Sequence, residues 1–516
     1  MTEHAKMSHR EVLEALSGLL LGMLVAILSS TVVSTALPRI IADLGGSQSG
    51  FTWVVTATLL ALTVSTPIWG KLSDLVDRKL LVQLSLIIFV AGSAVAGAAQ
   101  STGWLIACRA VQGIGAGGLT ALVQVILSDL VSPRERGRYM GYLGAVMAVG
   151  TVAGPLIGGV LTDTLGWRWC FFVGVPIAII AIIVLQQTLH LPRRRREVSI
   201  DYAGAVLLSA GVSLLLVWVS FAGTQFAWGS WQTAVMVPVA LLLCVAAVVA
   251  MSRAREPLIP LDLFRNRTVV LAVLASIAVG IAMFGTSVFL SQYLQIAKGK
   301  SPTSSGLLTI PMVIGVMLSS TIIGRVITKT GRYKRWMVLG TILLTCGLTL
   351  MGTLDETTSI AELAVFMFAI GAGVGMVMQN LVLVVQNTLP VHELGSGSAI
   401  VAFFRSLAGA IGVAALGAVL ASKVRTTVAS GLAAHGITAP ATTSNDVPDV
   451  HTLHEPVRGI VEHAYGLGIG EIFLVAAPAG LLAFIAVLLI REVPLGTRSG
   501  IELAGSQQPE EPVGTR

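Results

Sequence analysis

Arg109 stands inside a run that is otherwise small or apolar, Leu105-Ile-Ala-Cys-Arg109-Ala-Val-Gln112-Gly113. A guanidinium inside a membrane span costs at least about 2.5–3.5 kcal/mol. Two readings are open. Trp104, five residues away, marks an interface to which Arg109 snorkels. Alternatively, Gly113, Gly117, Thr120 and Gln124 follow at helical spacing and extend a small or polar stripe that faces a wet space. Arg405 lies inside another apolar run, and two carboxylates, Asp74 and Asp129, lie at run edges. Such charges suit ion pairing. No clustered acid, base or metal ligand faces the middle of a run, so covalent chemistry is not expected. No Gly-x-x-x-x-Gly-Lys loop is present, so ATP is not the direct energy source and no cofactor is expected.

The elements that hold these residues follow from composition. The chain has 516 residues, of which 54% are hydrophobic and 11% charged. A soluble domain carries about 25% charged residues. A membrane-spanning helix needs about 20 mainly apolar residues at a rise of about 1.5 Å each. Fourteen segments meet that test, at approximately 15–37, 51–70, 80–99, 104–127, 139–161, 169–189, 203–222, 233–251, 269–291, 304–324, 336–354, 361–384, 398–421 and 471–490. The expected fold class is therefore an all-α membrane protein. The first run, Leu16 to Leu37, is longer than the apolar part of a cleaved signal, so it reads as the first span.

An even number of spans puts both termini on one side. Of the 33 Lys and Arg, 24 fall on the terminal side, seven on the other, and Arg109 and Arg405 inside spans. That asymmetry predicts cytoplasmic termini in a multi-pass plasma-membrane protein. The net charge of +7 is confined to short loops without interleaved aromatics, which excludes nucleic acid as a partner. Arg193 to Arg196 read as a signal that holds a loop inside, and the same run could also meet acidic lipid. Asn266-Arg-Thr matches a glycosylation acceptor but falls on the cytoplasmic side, which discounts it. The longest non-helical stretch is expected at about 422–470, outside, and holds His451, His454, Glu455 and His463. A polar loop is the plainer reading there, and a metal site would need those ligands to converge. The four cysteines are far apart and read as small buried hydrophobes.

The polar stretch Gly70-Lys-Leu-Ser-Asp74-Leu-Val-Asp-Arg78-Lys79 reads as a tight cytoplasmic loop. A degenerate copy, Gly324-Arg-Val-Ile-Thr328-Lys-Thr-Gly-Arg-Tyr333, lies 254 residues later. Ile114-Gly115-Ala116-Gly117 recurs as Ile370-Gly371-Ala372-Gly373, and Pro133 as Pro390. Two related halves follow, with an offset of eight spans. Spans 7 and 8 are then an insertion between two six-helix bundles related by a pseudo-two-fold axis along the membrane normal. The expected domains are 1–190, an inserted pair at 191–267, 268–491 and a disordered cytoplasmic tail at 492–516. This is the pattern of transporters whose substrate sits near midplane between halves that rock.

With these motifs in order, the chain resembles the major facilitator superfamily, in its fourteen-helix drug–proton antiporter branch. Gly70 to Lys79 is similar to the family's loop between helices 2 and 3. Leu105 to Gly113 is similar to its helix 4 motif. Gly150-Thr-Val-Ala-Gly154-Pro155-Leu-Ile-Gly158-Gly159 is similar to the helix 5 motif of its exporters, and Trp167-Arg-Trp169 with Val175-Pro176 to the start of helix 6. The resemblance implies that Arg109 takes part in proton coupling. It also implies that Gly70, Asp74 and Arg78 form a cytoplasmic latch, where a solvated loop pair is the plainer alternative. At Gly150, Gly154, Pro155 and Gly158 the spacing fits close helix packing, and a pivot between the halves is the functional alternative.

The departures are informative. Helix 1 of this branch reads Leu-Asp-x-Thr, and here it reads Leu28-Ser29-Ser30-Thr31. Acidic residues occur only at span edges, at Asp129, Asp163, Asp201, Glu362 and Glu471. Asp129 and Asp74 therefore remain as carboxylates for proton coupling. Asp77 stands where the motif has Gly, Gly174 where it has Asn, and Thr328 where the first copy has Asp74. The expected cavity residues are Ser29, Thr31, Ser34, Trp53, Gln124, Phe284, Gln292, Tyr293, Gln379, Asn380, Phe404 and Arg405, with Ser30, Gln386 and Phe403 beside them. Such a cavity is short of negative charge and suits bulky amphipathic cargo. The expected function is proton-coupled efflux of drug-like compounds by alternating access, with protons and membrane lipids as further partners. Export of an endogenous lipid, siderophore or metabolite is the alternative cargo, and a non-transporting membrane sensor or assembly factor the alternative class.

Overall fold

The structure is a computed structural model and describes residues 9–44, 48–189, 201–222, 226–255, 257–300, 302–390, 393–435 and 454–495. Its fourteen apolar helices are long enough to cross a bilayer. They are α1 His9–Asp43, α2 Gln48–Leu75, α3 Arg78–Gly97, α4 Thr102–Leu130, α5 Pro133–Thr164, α6 Trp169–Thr188, α7 Tyr202–Phe221 and α8 Trp231–Arg253. Then follow α9 Arg267–Gln292, which runs on into a π-turn Tyr293–Ala297, and α10, in two pieces Pro302–Leu308 and Ile310–Thr330. The last are α11 Lys334–Met351, α12 Ile360–Thr388, α13 Leu394–Ala434 and α14 Val457–Leu489. No strand occurs among the described residues, where Ala222 and Phe226 form only an isolated bridge.

The two halves repeat one packing scheme. In the first, α1 packs on α5 and α6, and α4 on α2 and α3. In the second, α9 packs on α13 and α14, and α12 on α10 and α11. The crossings between halves repeat as well, α5 on α10 and α2 on α13. An offset of eight helices maps each of these pairs onto its partner. The inserted α7 and α8 pack on each other, and α7 also rests on α2 and α13. The glycines of α4 and α12 show why the repeat survives. A Cβ on Gly113 or Gly117 would strike α2, and one on Gly115 would strike α3. A Cβ on Gly371 or Gly375 would strike α10, and one on Gly373 would strike α11. Helices approach this closely only where side chains are absent. The equivalent segments are therefore Gly113-Ile-Gly115-Ala-Gly117 and Gly371-Ala-Gly373-Val-Gly375, two residues from the expected register.

Three other expectations change. The stretch from Gly70 to Lys79 is mostly helix. Gly70 to Leu75 closes α2, only Val76 and Asp77 lie between the helices, and the Asp77 carboxylate caps α3 through the Lys79 N–H at 2.9 Å. The second copy turns differently, because Gly331 ends α10 at φ +69°, a left-handed position that favours glycine. Where it is described, the stretch expected at 422–470 is largely helical. α13 continues to Ala434 and α14 starts at Val457, so Glu471 lies within α14 rather than at its edge. The two helices form an antiparallel hairpin there, with Gly431 against Ile460, Gly468 against Leu420, and Lys423 paired to Glu471 at 2.6 Å. Polar residues continue the helices past the apolar runs because backbone hydrogen bonds persist wherever the chain stays helical. Two other edge acids, Asp201 and Glu362, serve as caps. Asp201 accepts from Gly204 at 2.7 Å, and Glu362 completes a capping box with Ser359.

Arg193 to Arg196, His451, the tail from 496 and the side chains of Asp74, Pro155 and Asp163 lie outside the described residues. Among the described residues, no three His, Cys, Asp or Glu side chains converge.

Candidate functional site

Two polar layers sit where the halves meet on the terminal side. The deeper one spans the dividing plane. Gln124 of α4 donates from Nε2 to Gln379 Oε1 of α12 at 2.7 Å. Gln386 Nε2 donates to Ser398 Oγ of α13 at 2.6 Å and to the Gln124 carbonyl at 3.3 Å. All four side chains are buried. At the same end, Gly70 of α2 touches Ala399 and Gly395 of α13 so closely that a Cβ has no room. The halves are therefore shut against each other on the side that holds the termini. α1 lies beside α5 and α2, and each of these is sealed to a helix of the other half. On its remaining face Ser30 and Ser34 are exposed.

The second layer is an ion pair within the first half. Arg78, the first residue of α3, pairs with Asp129 near the end of α4 and donates from Nε to the Ser73 carbonyl at 2.8 Å. Both residues are 5% exposed. The pair staples the turn between α2 and α3 to α4. The second half builds the equivalent corner without it. There Glu492 caps α11 through the Tyr333 N–H at 3.0 Å and the Lys334 N–H at 3.2 Å. Thr328, where the first copy has Asp74, bonds back to the Gly324 carbonyl at 2.9 Å.

Arg109 is 4% exposed and donates from Nη1 to Gln112 Oε1 at 2.9 Å, while its Nε has no partner among the described residues. Gln112 in turn lies against Gly92 of α3. Arg405 is 6% exposed and lies eleven residues into α13, about 16 Å along the axis. Its Nη1 has no partner among the described residues.

The other expected cavity residues divide. Ser34 is exposed and bonds to the Ser30 carbonyl at 2.8 Å. Ser29 turns instead to Gly174 of α6, and Thr31 donates to the Gly150 carbonyl of α5 at 3.0 Å. Trp53 rests on Phe221 of the inserted α7, with ring centroids 4.8 Å apart. Phe284 fills the gap left by Gly409, and Phe404 meets Phe403 and Phe264. Asn380 bonds to the Met376 carbonyl at 2.6 Å, and Gln292 is half-buried. Tyr293 is locked in the π-turn by its hydroxyl on the Asp355 carbonyl at 2.6 Å. Of the residues expected at a pivot, Gly150 and Gly154 face Ile27 and Thr31 of α1 in their own half, and Gly158 accepts from Thr162 at 2.6 Å. Gly144 of α5 meets Ser320 of α10 across the halves. Ser398 was not signalled by its sequence, since its polar neighbour arrives from α12.

The asymmetry that matters chemically is charge. Two guanidiniums are buried within the spans, and the one described carboxylate buried at their edge, Asp129, already holds Arg78.

The family model of the Major Facilitator Superfamily matches residues 19–413. An uncharacterized MFS-type transporter of Mycobacterium tuberculosis (strain ATCC 25618 / H37Rv) is 37% identical over 93% of this chain and 69% of its own length. The multidrug transporter protein MdtP of Bacillus subtilis (strain 168) is 37% identical over 81% of this chain and 77% of its own. The crystal structure of the human organic anion transporter MFSD10 superposes with a TM-score of 0.64 at 16% identity, covering 93% of this chain and 100% of that one, which is a likeness of fold. The paired halves, their fourteen helices and these matches converge on one statement: the chain belongs to the Major Facilitator Superfamily.

Proposed function

We propose that this protein exports amphipathic, drug-like compounds across the plasma membrane, driven by the proton gradient, with its termini in the cytoplasm. The observation that carries the reading is the removable seam of Gln124, Gln379, Gln386 and Ser398, which closes one side of the space between two independently packed halves. Neutral hydrogen bonds are each worth about 0.5–1.5 kcal/mol net. A seam made of them opens and recloses on a transport timescale, where a large apolar interface would not. The basic residues concentrated on the terminal side support a cytoplasmic seam, and in this reading the state described faces outward. The relative named as a multidrug transporter supports drug-like cargo.

The proton path in this reading uses charged groups already in place. Asp129 holds Arg78 while the cytoplasmic side is shut. Rocking of α4 away from α12 strains the corner where that pair sits, and a carboxylate that loses its cation binds a proton more readily. Asp74 is the second carboxylate at this corner. Arg109, held by Gln112, acts from the outer half of α4 as a fixed positive charge that is sensitive to proton entry.

The test is accumulation of a fluorescent amphiphilic dye by energised cells, with and without a protonophore. Expression of the protein lowers accumulation, and the protonophore abolishes that difference. Extrusion that survives collapse of the gradient contradicts proton coupling. Equal accumulation with wild type and Arg109→Ala contradicts either dye export or the role of Arg109.

A further inference from the structure

We propose that Arg405 is an anion-binding group of the space between the halves, and that the preferred cargo is an amphipathic acid carrying one carboxylate or similar anionic group on an apolar body. This inference rests on the export reading and narrows its substrate class.

Arg405 lies seven residues, one heptad, outward of Ser398 on the same face of α13. It therefore sits about 10 Å above the polar seam that floors the space. The backbone around it is fixed. Gly280 of α9 lies directly on the Arg405 carbonyl, and Gly409 and Gly412 on the same face seat Phe284 and Ile281 of α9. The guanidinium is thus held at a set depth on a rigid element, as a binding group must be. Among the described residues it makes no hydrogen bond or ion pair, and its Nη1 is shielded and unpartnered. Four carboxylates within or beside the spans are engaged elsewhere: Asp129 by Arg78, Asp201 and Glu362 by helix N-termini, and Glu471 by Lys423. Arg109 adds a second buried cation and no anion.

A guanidinium stays charged and offers a planar fork of donors that fits a carboxylate or phosphate. A buried charge without a partner is unfavourable until a counter-ion arrives, so a site of this kind is complementary to an anion.

The test uses one dansyl-undecanoyl scaffold in three forms: the free acid, its methyl ester and a trimethylammonium analogue. Binding to the purified full-length protein in phosphatidylcholine nanodiscs is read from dansyl fluorescence. Wild type is expected to bind the acid about tenfold more tightly than the ester, a difference of about 1.4 kcal/mol. Arg405→Gln removes the preference and Arg405→Lys restores part of it. Equal binding of acid and ester by wild type overturns the proposal without reference to any variant. Retention of the preference in Arg405→Gln also overturns it. If phosphatidylglycerol in the nanodisc abolishes the preference in wild type, a lipid phosphate is the occupant and the cargo assignment falls. Efflux of the same three compounds from energised cells separates this inference from its foundation. Arg405-dependent acid binding with no extrusion of any form keeps the anion site and removes the export reading. Extrusion of the cation alone, unchanged in Arg405→Gln, keeps export and removes the anion site.

Discussion

Gln124 and Gln379 meet at 2.7 Å across the plane that divides the two halves of the chain. Neither side chain has an equivalent at the matching position of the other half, where Ala121 and Val382 stand in the register set by the glycines. The contact is thus a feature of the closed terminal side and not of the internal repeat.

A reducible bis-methanethiosulfonate crosslinker joining Gln124→Cys to Gln379→Cys is expected to lock the resting protein and to stop transport, with activity restored by reductant. Gel mobility after proteolysis between the halves reads the crosslink. Free passage of cargo through a fully crosslinked protein would remove the seam as a moving part.

Gly70 and Gly371 separate conformational bias from stability. A Cβ at Gly70 meets Ala399 of the other half, so Gly70→Val wedges the terminal side open. Labelling of Gln124→Cys by a membrane-impermeant maleimide from that side should rise several-fold. A Cβ at Gly371 meets the Met312 carbonyl inside one half. Gly371→Ala should lower thermal stability, by about 1–3 kcal/mol, without raising the maleimide labelling of Gln124→Cys. Identical behaviour of the two variants would mean that the halves do not move as units.

Arg78 and Asp129 are coupled. Asp129→Asn or Arg78→Ala removes one side of this buried ion pair and is expected to cost about 3–5 kcal/mol in thermal unfolding of the detergent-solubilised protein. The double variant Arg78→Ala with Asp129→Asn should lose clearly less than the sum of the two. Additive losses would show that the pair carries no interaction energy.

Hydrogen bonds from the Thr357 and Thr358 hydroxyls hold the Asp355 carboxyl down to about 2. Its folded value lies below the ordinary carboxylate value of about 3.9, so its contribution to stability is complete above that value and is lost as pH falls toward 2. The loop it organises receives Tyr293 of the π-turn and Lys298. The melting-temperature loss of Asp355→Asn should therefore be the same at pH 7 and pH 5. A loss that shrinks between these values would place the titration higher and contradict the hydrogen-bonded turn.

The fold was legible because lipid imposes one rule on every segment. Length and apolarity located all fourteen helices, and the recurrence of Gly70 at Gly324 exposed the repeat. Register within the repeat was less legible. Glycines alternate along α4 and α12, so a four-residue match slid by two positions, and only the helices facing Gly115 and Gly373 fix it. Polar residues inside spans were visible one at a time, but their partners were not. Gln124 finds Gln379 some 255 residues away, Ser29 turns to Gly174, and Trp53 packs on an inserted helix, because helix rotation is set by neighbours. The Arg78 partner was hidden for the same reason: Asp74 is near in sequence, while Asp129 is brought in by α4.

The central claim is exchange of cargo for protons, and proteoliposomes holding the purified protein and a pH-sensitive dye in the lumen test it most directly. With the lumen acidic, addition of an amphipathic cargo outside should drive cargo uptake and a matching luminal alkalinisation. Both should be absent in liposomes without a gradient and strongly reduced in Asp129→Asn. Cargo uptake with no change in luminal pH would contradict the account.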